Sequence, residues 1–157
     1  MQHAGTDIAA RTASVISDHG GLEGPLLPIL HGIQEEFGYV PPESLPVIAQ
    51  ALNLSRAEVY GVVSFYHDFR RHPAGRHVLK LCQTEACQSM GSDAVAAKIK
   101  QRLGIGFHET TQDGAVTLEP VYCLGLCACS PSAMLDGDVI GRVDDDKIDE
   151  MLEVIQA

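Results

Sequence analysis

Basic residues are scarce in this chain. Only 11 Lys and Arg stand against 21 Asp and Glu in 157 residues, a formal net charge of −10. Binding a phosphate backbone needs clustered positive charge, so nucleic acid is excluded as the main partner. Long hydrophobic runs are missing too. No stretch approaches the ~20 apolar residues that span a bilayer. The start, Met-Gln-His-Ala-Gly-Thr-Asp, has neither the basic end nor the apolar core of a secretion signal. The expectation is a cytoplasmic protein without direct membrane insertion, in a compartment that keeps thiols reduced. Cys-x-x-Cys does not occur, which removes the spacing used by thiol–disulfide oxidoreductases. A phosphate-binding Gly-rich loop, a dinucleotide fingerprint and a nucleophile–base motif are also lacking. The chain is therefore expected to have no catalytic residues, NAD site or hydride chemistry of its own. There is no internal repeat and no low-complexity tract.

What is present reads as a globular protein with 45% hydrophobic and 20% charged residues. That length supports one good core, or a smaller one with a helical appendage. Residues 1–74 carry helical signals and no cysteine. Thr6 or Asp7 is expected to cap a first helix that Gly20-Gly21 stops. Pro25 opens a second, with Leu26, Leu27, Leu30, Ile33 and Phe37 inward and Gly38 closing it. A third runs from near Ser44, with Pro46 in its first turn, to Asn53. Ser55-Arg-Ala-Glu58 is a capping-box pattern for a fourth, with Val59, Val62, Val63 and Tyr66 along one side. These four predict a helical bundle with apolar stripes turned inward.

Residues 75–157 read differently. His72-Pro73-Ala74-Gly75 marks a linker, and strand signals begin after it. A strand is predicted over 78–81 and a helix over 92–103, with Ala94, Val95, Ile99 and Leu103 apolar and Gly104 as its stop. Asp113-Gly114 predicts a hairpin between strands near 107–111 and 115–121. Asp136-Gly137 predicts a second hairpin between 133–135 and 139–141. Asp144 is placed to cap a last helix with Ile148, Leu152 and Ile155 inward. The fold class is thus α/β (α+β): an N-terminal bundle, then a small mixed sheet with helices packed on it.

Chemistry concentrates in Cys82, Cys87, Cys123 and Cys127, spaced as Cys-x4-Cys and Cys-x3-Cys with 35 residues between the pairs. Each pair begins where a predicted strand ends, so two neighbouring strand ends would present four thiolates to one centre. Such a soft, anionic donor set suits an iron–sulfur cluster or zinc, not magnesium or calcium. A 2Fe–2S cluster takes two thiolates on each iron, which paired cysteines meet directly. Zinc knuckles match these spacings only loosely, and a zinc-stabilised interaction module stays open on spacing alone. No histidine lies within either loop, so a Rieske centre is excluded. Five cysteines, an odd number, fit a disulfide framework poorly.

Cys82-x4-Cys87, Cys123-Leu-Gly-Leu-Cys127, Ser130-Pro131 and a strand closed by Asp136-Gly137 together resemble the thioredoxin-like 2Fe–2S ferredoxins, the 24-kDa-type subunits of NADH dehydrogenases. Gly61-Val-Val-Ser-Phe-Tyr-His-Asp-Phe69 is similar to the segment that precedes the cluster domain there. The similarity spans roughly residues 10 to 157 of the sequence. It implies a thioredoxin-like second domain and one 2Fe–2S cluster on Cys82, Cys87, Cys123 and Cys127. It also implies a one-electron carrier that works beside an FMN- and NAD-binding subunit and, through it, further iron–sulfur and molybdenum subunits. Tyr122-Cys-Leu-Gly-Leu-Cys-Ala-Cys-Ser-Pro131 is most similar to the gamma subunit of molybdenum-containing, NAD-dependent formate dehydrogenases. The alternatives are the matching subunits of respiratory NADH:quinone oxidoreductase and of NAD-reducing hydrogenase.

Several residues are read as secondary. Cys129, two beyond Cys127, is expected to be a small buried or half-buried thiol outside the ligand set. Gly125 and Gly91 are expected to let the cysteine loops turn tightly. Thr84, Ser89 and Ser130 are candidate hydrogen-bond donors to sulfur, or else cap and turn residues. His67, beside Asp68, is expected to be a hydrogen-bonded or surface histidine, with tuning of proton or electron transfer as its functional alternative. Arg70, Arg71, His72, Arg76 and His77 form one basic stretch, a solvated linker with an acidic docking partner as its functional alternative.

Overall fold

The computed structural model describes residues 3–156. The chain divides into two compact units, Met1–Pro73 and Ala74–Ala157. The first holds four helices: α1 (His3–His19), α2 (Leu26–Phe37), α3 (Ser44–Leu52) and α4 (Arg56–Phe65). α1 is already helical at His3, so Thr6 and Asp7 are interior residues rather than caps. Asp7 instead pairs with Arg11 one turn on, at 3.5 Å, an i,i+4 contact along the helix surface. Pro25 precedes α2, and Gly38 closes it at φ 77 with its N–H donating to the Gln34 carbonyl. α3 likewise ends on Asn53 in the left-handed region. At α4 the Ser55 side chain accepts from the Glu58 N–H while the Glu58 carboxylate accepts from the Ser55 N–H, a complete capping box.

The core of this unit is built on Ile29, Leu30, Ile33, Val40, Ile48, Val59 and Val63. Each fully buried aliphatic side chain contributes about 1.5–3 kcal/mol of transfer free energy. Two expected members are absent. Leu27 is 36% exposed, because it lies roughly 110° round the helix from the face centred on Ile29, Leu30 and Ile33. Tyr66 is 43% exposed. Its backbone is extended at φ −86 and ψ 115, so the helical period ends one residue before it.

The second unit runs β1 (His77–Cys82), α5 (Glu85–Ser89), α6 (Ser92–Leu103), β2 (Glu109–Thr110), β3 (Val116–Val121), a 3-10 turn (Cys127–Cys129), β4 (Ser132–Leu135), β5 (Asp138–Gly141) and α7 (Asp145–Gln156). The sheet order is β2-β3-β1-β4-β5. β1 and β3 are parallel, His77 opposite Val116 through to Cys82 opposite Val121; the other neighbours are antiparallel. Leu79, Leu81, Val116, Leu118, Ala133 and Leu135 from the sheet meet Ile99, Ile148, Met151, Leu152 and Ile155 from α6 and α7 in one core. Ala96, not Ala94, is the buried alanine of α6; it lies three residues before Ile99, on the same face, whereas Ala94 lies five before. Asp144 caps α7 through its Oδ1, which accepts the Lys147 N–H at 3.1 Å. Both residues of the Asp136-Gly137 turn have positive φ, 51 and 101, as a two-residue type I′ hairpin requires. Among the described residues, no helix is long and apolar enough to cross a membrane.

Candidate metal centre

Parallel strands end on the same side of a sheet, and that places the cysteines. Cys82 is the last residue of β1 and stands opposite Val121, two residues before Cys123. From Cys82 the chain enters α5, whose single turn carries Cys87. Both are buried, at 2% and 1% exposure. Cys123 and Cys127 are exposed. Their sulfurs are 3.9 Å apart, held by the tight loop Cys123-Leu-Gly-Leu-Cys127. Gly125 turns that loop at φ 76, and its N–H donates to Cys123 Sγ at 3.3 Å. Cys123 itself sits at φ 119. A side chain rarely adopts that backbone, at a cost of order 1–3 kcal/mol, and such residues cluster at functional sites.

The two pairs face each other. Burial pushes the Cys82 thiol up, but hydrogen bonds from the Thr84 hydroxyl and amide, from Cys87 and from the Leu124 amide outweigh it and bring Cys82 down to about 7. Leu124 belongs to the second loop, so it carries a contact from one loop to the other. Cys127 moves the opposite way. Its hydrogen bond and charge contact with Cys123, then burial, then the nearby Cys87 and Cys82 hold its thiol above the ordinary value. Negative charge gathered on any of these sulfurs is felt by the others, as a cationic metal centre would relieve. Among the described residues, no three His, Cys, Asp or Glu side chains group as ligands of a single metal ion. One tetrahedral zinc at about 2.3 Å from each sulfur would need all six sulfur pairs near about 3.8 Å. The Cys123 and Cys127 sulfurs, 3.9 Å apart, stand as two thiolates of one iron in a two-iron centre would.

Around them, Thr84 Oγ1 is 3.1 Å from Cys82 Sγ, and Ser130 Oγ accepts from the Cys87 thiol at 3.4 Å. Ser89 does not reach a sulfur: its hydroxyl donates to the Ala86 carbonyl at 2.9 Å inside α5, the local bond that ends a short helix. Gly91, at φ 94, joins α5 to α6 rather than wrapping the cysteines. Ser132 escaped the sequence reading, yet its Oγ lies 3.5 Å from Cys87 Sγ. Ser132 opens β4 and Ser130 lies before it, so no strand period in the sequence pairs the two. Cys129 is half-buried, its carbonyl accepting the Arg142 N–H at 2.6 Å. His67 is exposed in the first unit. The basic stretch is divided between the units. Arg71 reaches Tyr60 Oη, Arg76 the Asp113 carbonyl, and His77 Nδ1 lies 2.6 Å from Asp136.

Comparison with known proteins agrees with this geometry. The family model of the thioredoxin-like [2Fe-2S] ferredoxins matches residues 12–156. The E subunit of the NADH-quinone oxidoreductase of Pseudomonas aeruginosa is 39% identical over 121 residues, 77% of this chain and 73% of that one. The HndA subunit of the NADP-reducing hydrogenase of Solidesulfovibrio fructosivorans is 35% identical over 130 residues, 83% of this chain and 76% of its own length. A crystal structure of NAD+-reducing [NiFe]-hydrogenase in the H2-reduced state matches with TM-score 0.69 and 26% identity; 83% of this chain covers 22% of the hydrogenase chain.

Proposed function

This chain belongs to the thioredoxin-like [2Fe-2S] ferredoxin family, and from that premise we propose that Cys82, Cys87, Cys123 and Cys127 hold its one 2Fe–2S cluster. The observation that carries the ligand set is the register of β1 and β3, which brings one cysteine pair from each strand end to the same place. The cluster, when bound, takes up and gives back one electron at a time. The protein's own part is to hold and bias it. Cys82 and Cys87 anchor one side inside the fold, while exposed Cys123 and Cys127 turn the other towards a partner. Thr84 supports Cys82, and the Gly125 N–H supports Cys123. Hydrogen bonds to sulfur and nearby charge are the levers a protein has on such a centre. Four thiolates and two sulfides leave an oxidised cluster formally at −2, and an added electron makes it −3. In a chain of net charge −10, this favours the oxidised form and a low potential.

The whole-complex reading is an electron-transfer subunit of a cytoplasmic, NAD-linked oxidoreductase, next to a subunit that binds FMN and NAD. Flavin exchanges electron pairs and a single cluster exchanges one, so a cluster beside a flavin can hold the odd electron. Within this class we assign the chain to a molybdenum-containing, NAD-dependent formate dehydrogenase as its gamma subunit, on the wording of residues 122–131. NADH:quinone oxidoreductase and NAD-reducing hydrogenase are the second reading, favoured by the names of the relatives and of the solved hydrogenase structure. Purification of the complex from its source tests both levels. Brown colour with about two irons and two sulfides per chain supports the cluster; a colourless zinc protein overturns it. Co-purifying molybdenum with formate-dependent NAD reduction supports the gamma-subunit assignment; quinone reductase subunits or nickel would replace it.

A further inference from the structure

Cys87 is the most enclosed of the four paired cysteines, at 1% exposure, and two buried hydroxyls approach its sulfur. Ser130 Oγ is 3.4 Å away and Ser132 Oγ 3.5 Å. Each hydroxyl has a single proton to give. That of Ser130 is spent: its Oγ donates to the Cys127 carbonyl at 2.9 Å. Towards Cys87 the same oxygen is an acceptor, and the thiol S–H is the donor. A metal-bound cysteine is a thiolate and has lost that proton. The Ser130 contact then has no hydrogen between oxygen and sulfur. Ser132 is free of this conflict, since its hydroxyl can be either donor or acceptor with Cys87. Its backbone opens β4 opposite Gly141, next to Ala133, which stands opposite Leu81, so the sheet fixes where its oxygen sits.

We infer that Ser132, and not Ser130, donates its hydroxyl proton to the Cys87 thiolate of the loaded protein and thereby raises the reduction potential of the cluster. The inference rests on the ligand set proposed above. A hydrogen bond strengthens as its acceptor gains negative charge, and an added electron puts more charge on the sulfurs. The Ser132 hydroxyl therefore favours the reduced state. It does so at a site 4% exposed, where little water is present to replace it. Ser132 is a positioning and tuning residue; it acts on the iron only through Cys87.

The test compares Ser132→Ala, Ser132→Thr, Ser132→Val and Ser130→Ala in the full chain. Iron and acid-labile sulfide are measured first, then the midpoint potential by EPR-monitored titration, then the Fe–S stretching bands in water and in deuterium oxide. Losing the donor should change the reduced fraction at a fixed ambient potential about tenfold towards oxidised, a fall of about 59 mV for a one-electron couple. Ser132→Ala and Ser132→Val should show the fall and lose the deuterium shift assigned to the Cys87 bond. Ser132→Thr, which keeps the hydroxyl, and Ser130→Ala should stay near wild type. Threonine and valine have nearly one shape, so that pair decides the matter if alanine at 132 prevents assembly. Equal potentials across the Ser132 series, or the fall appearing in Ser130→Ala instead, would overturn the inference while leaving the cluster in place. A wild-type chain without iron and sulfide would overturn the ligand reading beneath it.

Discussion

Cys123 and Cys129 show how differently two sulfurs on one loop are treated. Cys123 is held at φ 119, a backbone that a cysteine adopts only under constraint, and a glycine N–H points at its sulfur. Cys129 closes a 3-10 turn, and Gly141 lies so close that an added Cβ there would stand 2.8 Å from the Cys129 Cβ. Its Cβ is packed against the β5 end. Serine in place of Cys82, Cys87, Cys123 or Cys127 should therefore lose or strongly perturb the cluster, because an alkoxide is a poor substitute for thiolate at iron. Alanine at Cys129 should leave iron content and the visible spectrum nearly unchanged. Iron and sulfide analysis with absorbance in the visible range checks both, and iron lost from the Cys129 variant but kept in one of the four would reverse the assignment. The cysteines were legible from spacing because each pair follows a strand. The serines behind them were only half legible, since which hydroxyl reaches sulfur depends on how β4 lies beside β1.

Among the elements, α4 has its instructions written in four residues. Ser55 and Glu58 satisfy each other's backbone donors, with Glu58 Oε2 2.8 Å from the Ser55 N and 2.7 Å from its hydroxyl. The Ser55 amide first, and its hydroxyl second, hold the Glu58 carboxyl below its ordinary 4.5. A depressed carboxyl binds its proton less readily folded than unfolded. Its contribution is in place above pH 4.5 and fades as pH falls through the lower folded value. Glu58→Gln should flatten this part of the acid dependence, read from urea midpoints between pH 3 and 6 on the loss of helical ellipticity; an unchanged slope would show that the box does not couple to folding. Caps, Gly stops and the two Asp-Gly turns were readable because each acts within a few residues. The start of α1 was not, as an Asp followed four residues later by Arg serves a helix interior as well as a cap. α5 has five residues, too few to display a helical period. Nor does any local pattern state that β1 and β3 run parallel, since that follows from α5, α6 and β2 lying between them.

At the scale of the whole molecule, two units with separate cores suggest separate duties. All four proposed ligands and the whole sheet lie beyond Ala74, so a chain begun at Gly75 should fold and keep its cluster. We propose that much of the docking surface lies in residues 1–72, where Tyr60, Phe65 and Tyr66 are exposed on and just after α4; exposed aromatics of this kind are enriched at protein interfaces. The shortened chain should then bind the flavin subunit weakly in a pull-down or by calorimetry, and wild-type affinity would move the docking surface elsewhere. Redox behaviour tests the relay as a whole. Dithionite should deliver one electron per isolated chain and produce a rhombic EPR signal integrating to one spin. NADH alone should leave the chain oxidised, because the sequence carries no dinucleotide or flavin fingerprint through which a hydride could be split into single electrons. Adding the flavin subunit should make NADH a competent donor, provided the two potentials lie within about 100 mV, since each 59 mV shifts a one-electron equilibrium tenfold. Acidic surroundings should keep that potential near the low end of the iron–sulfur range, well below that of Rieske centres. Full reduction of the isolated chain by NADH, or a potential in the Rieske range, would sink the electron-carrier reading.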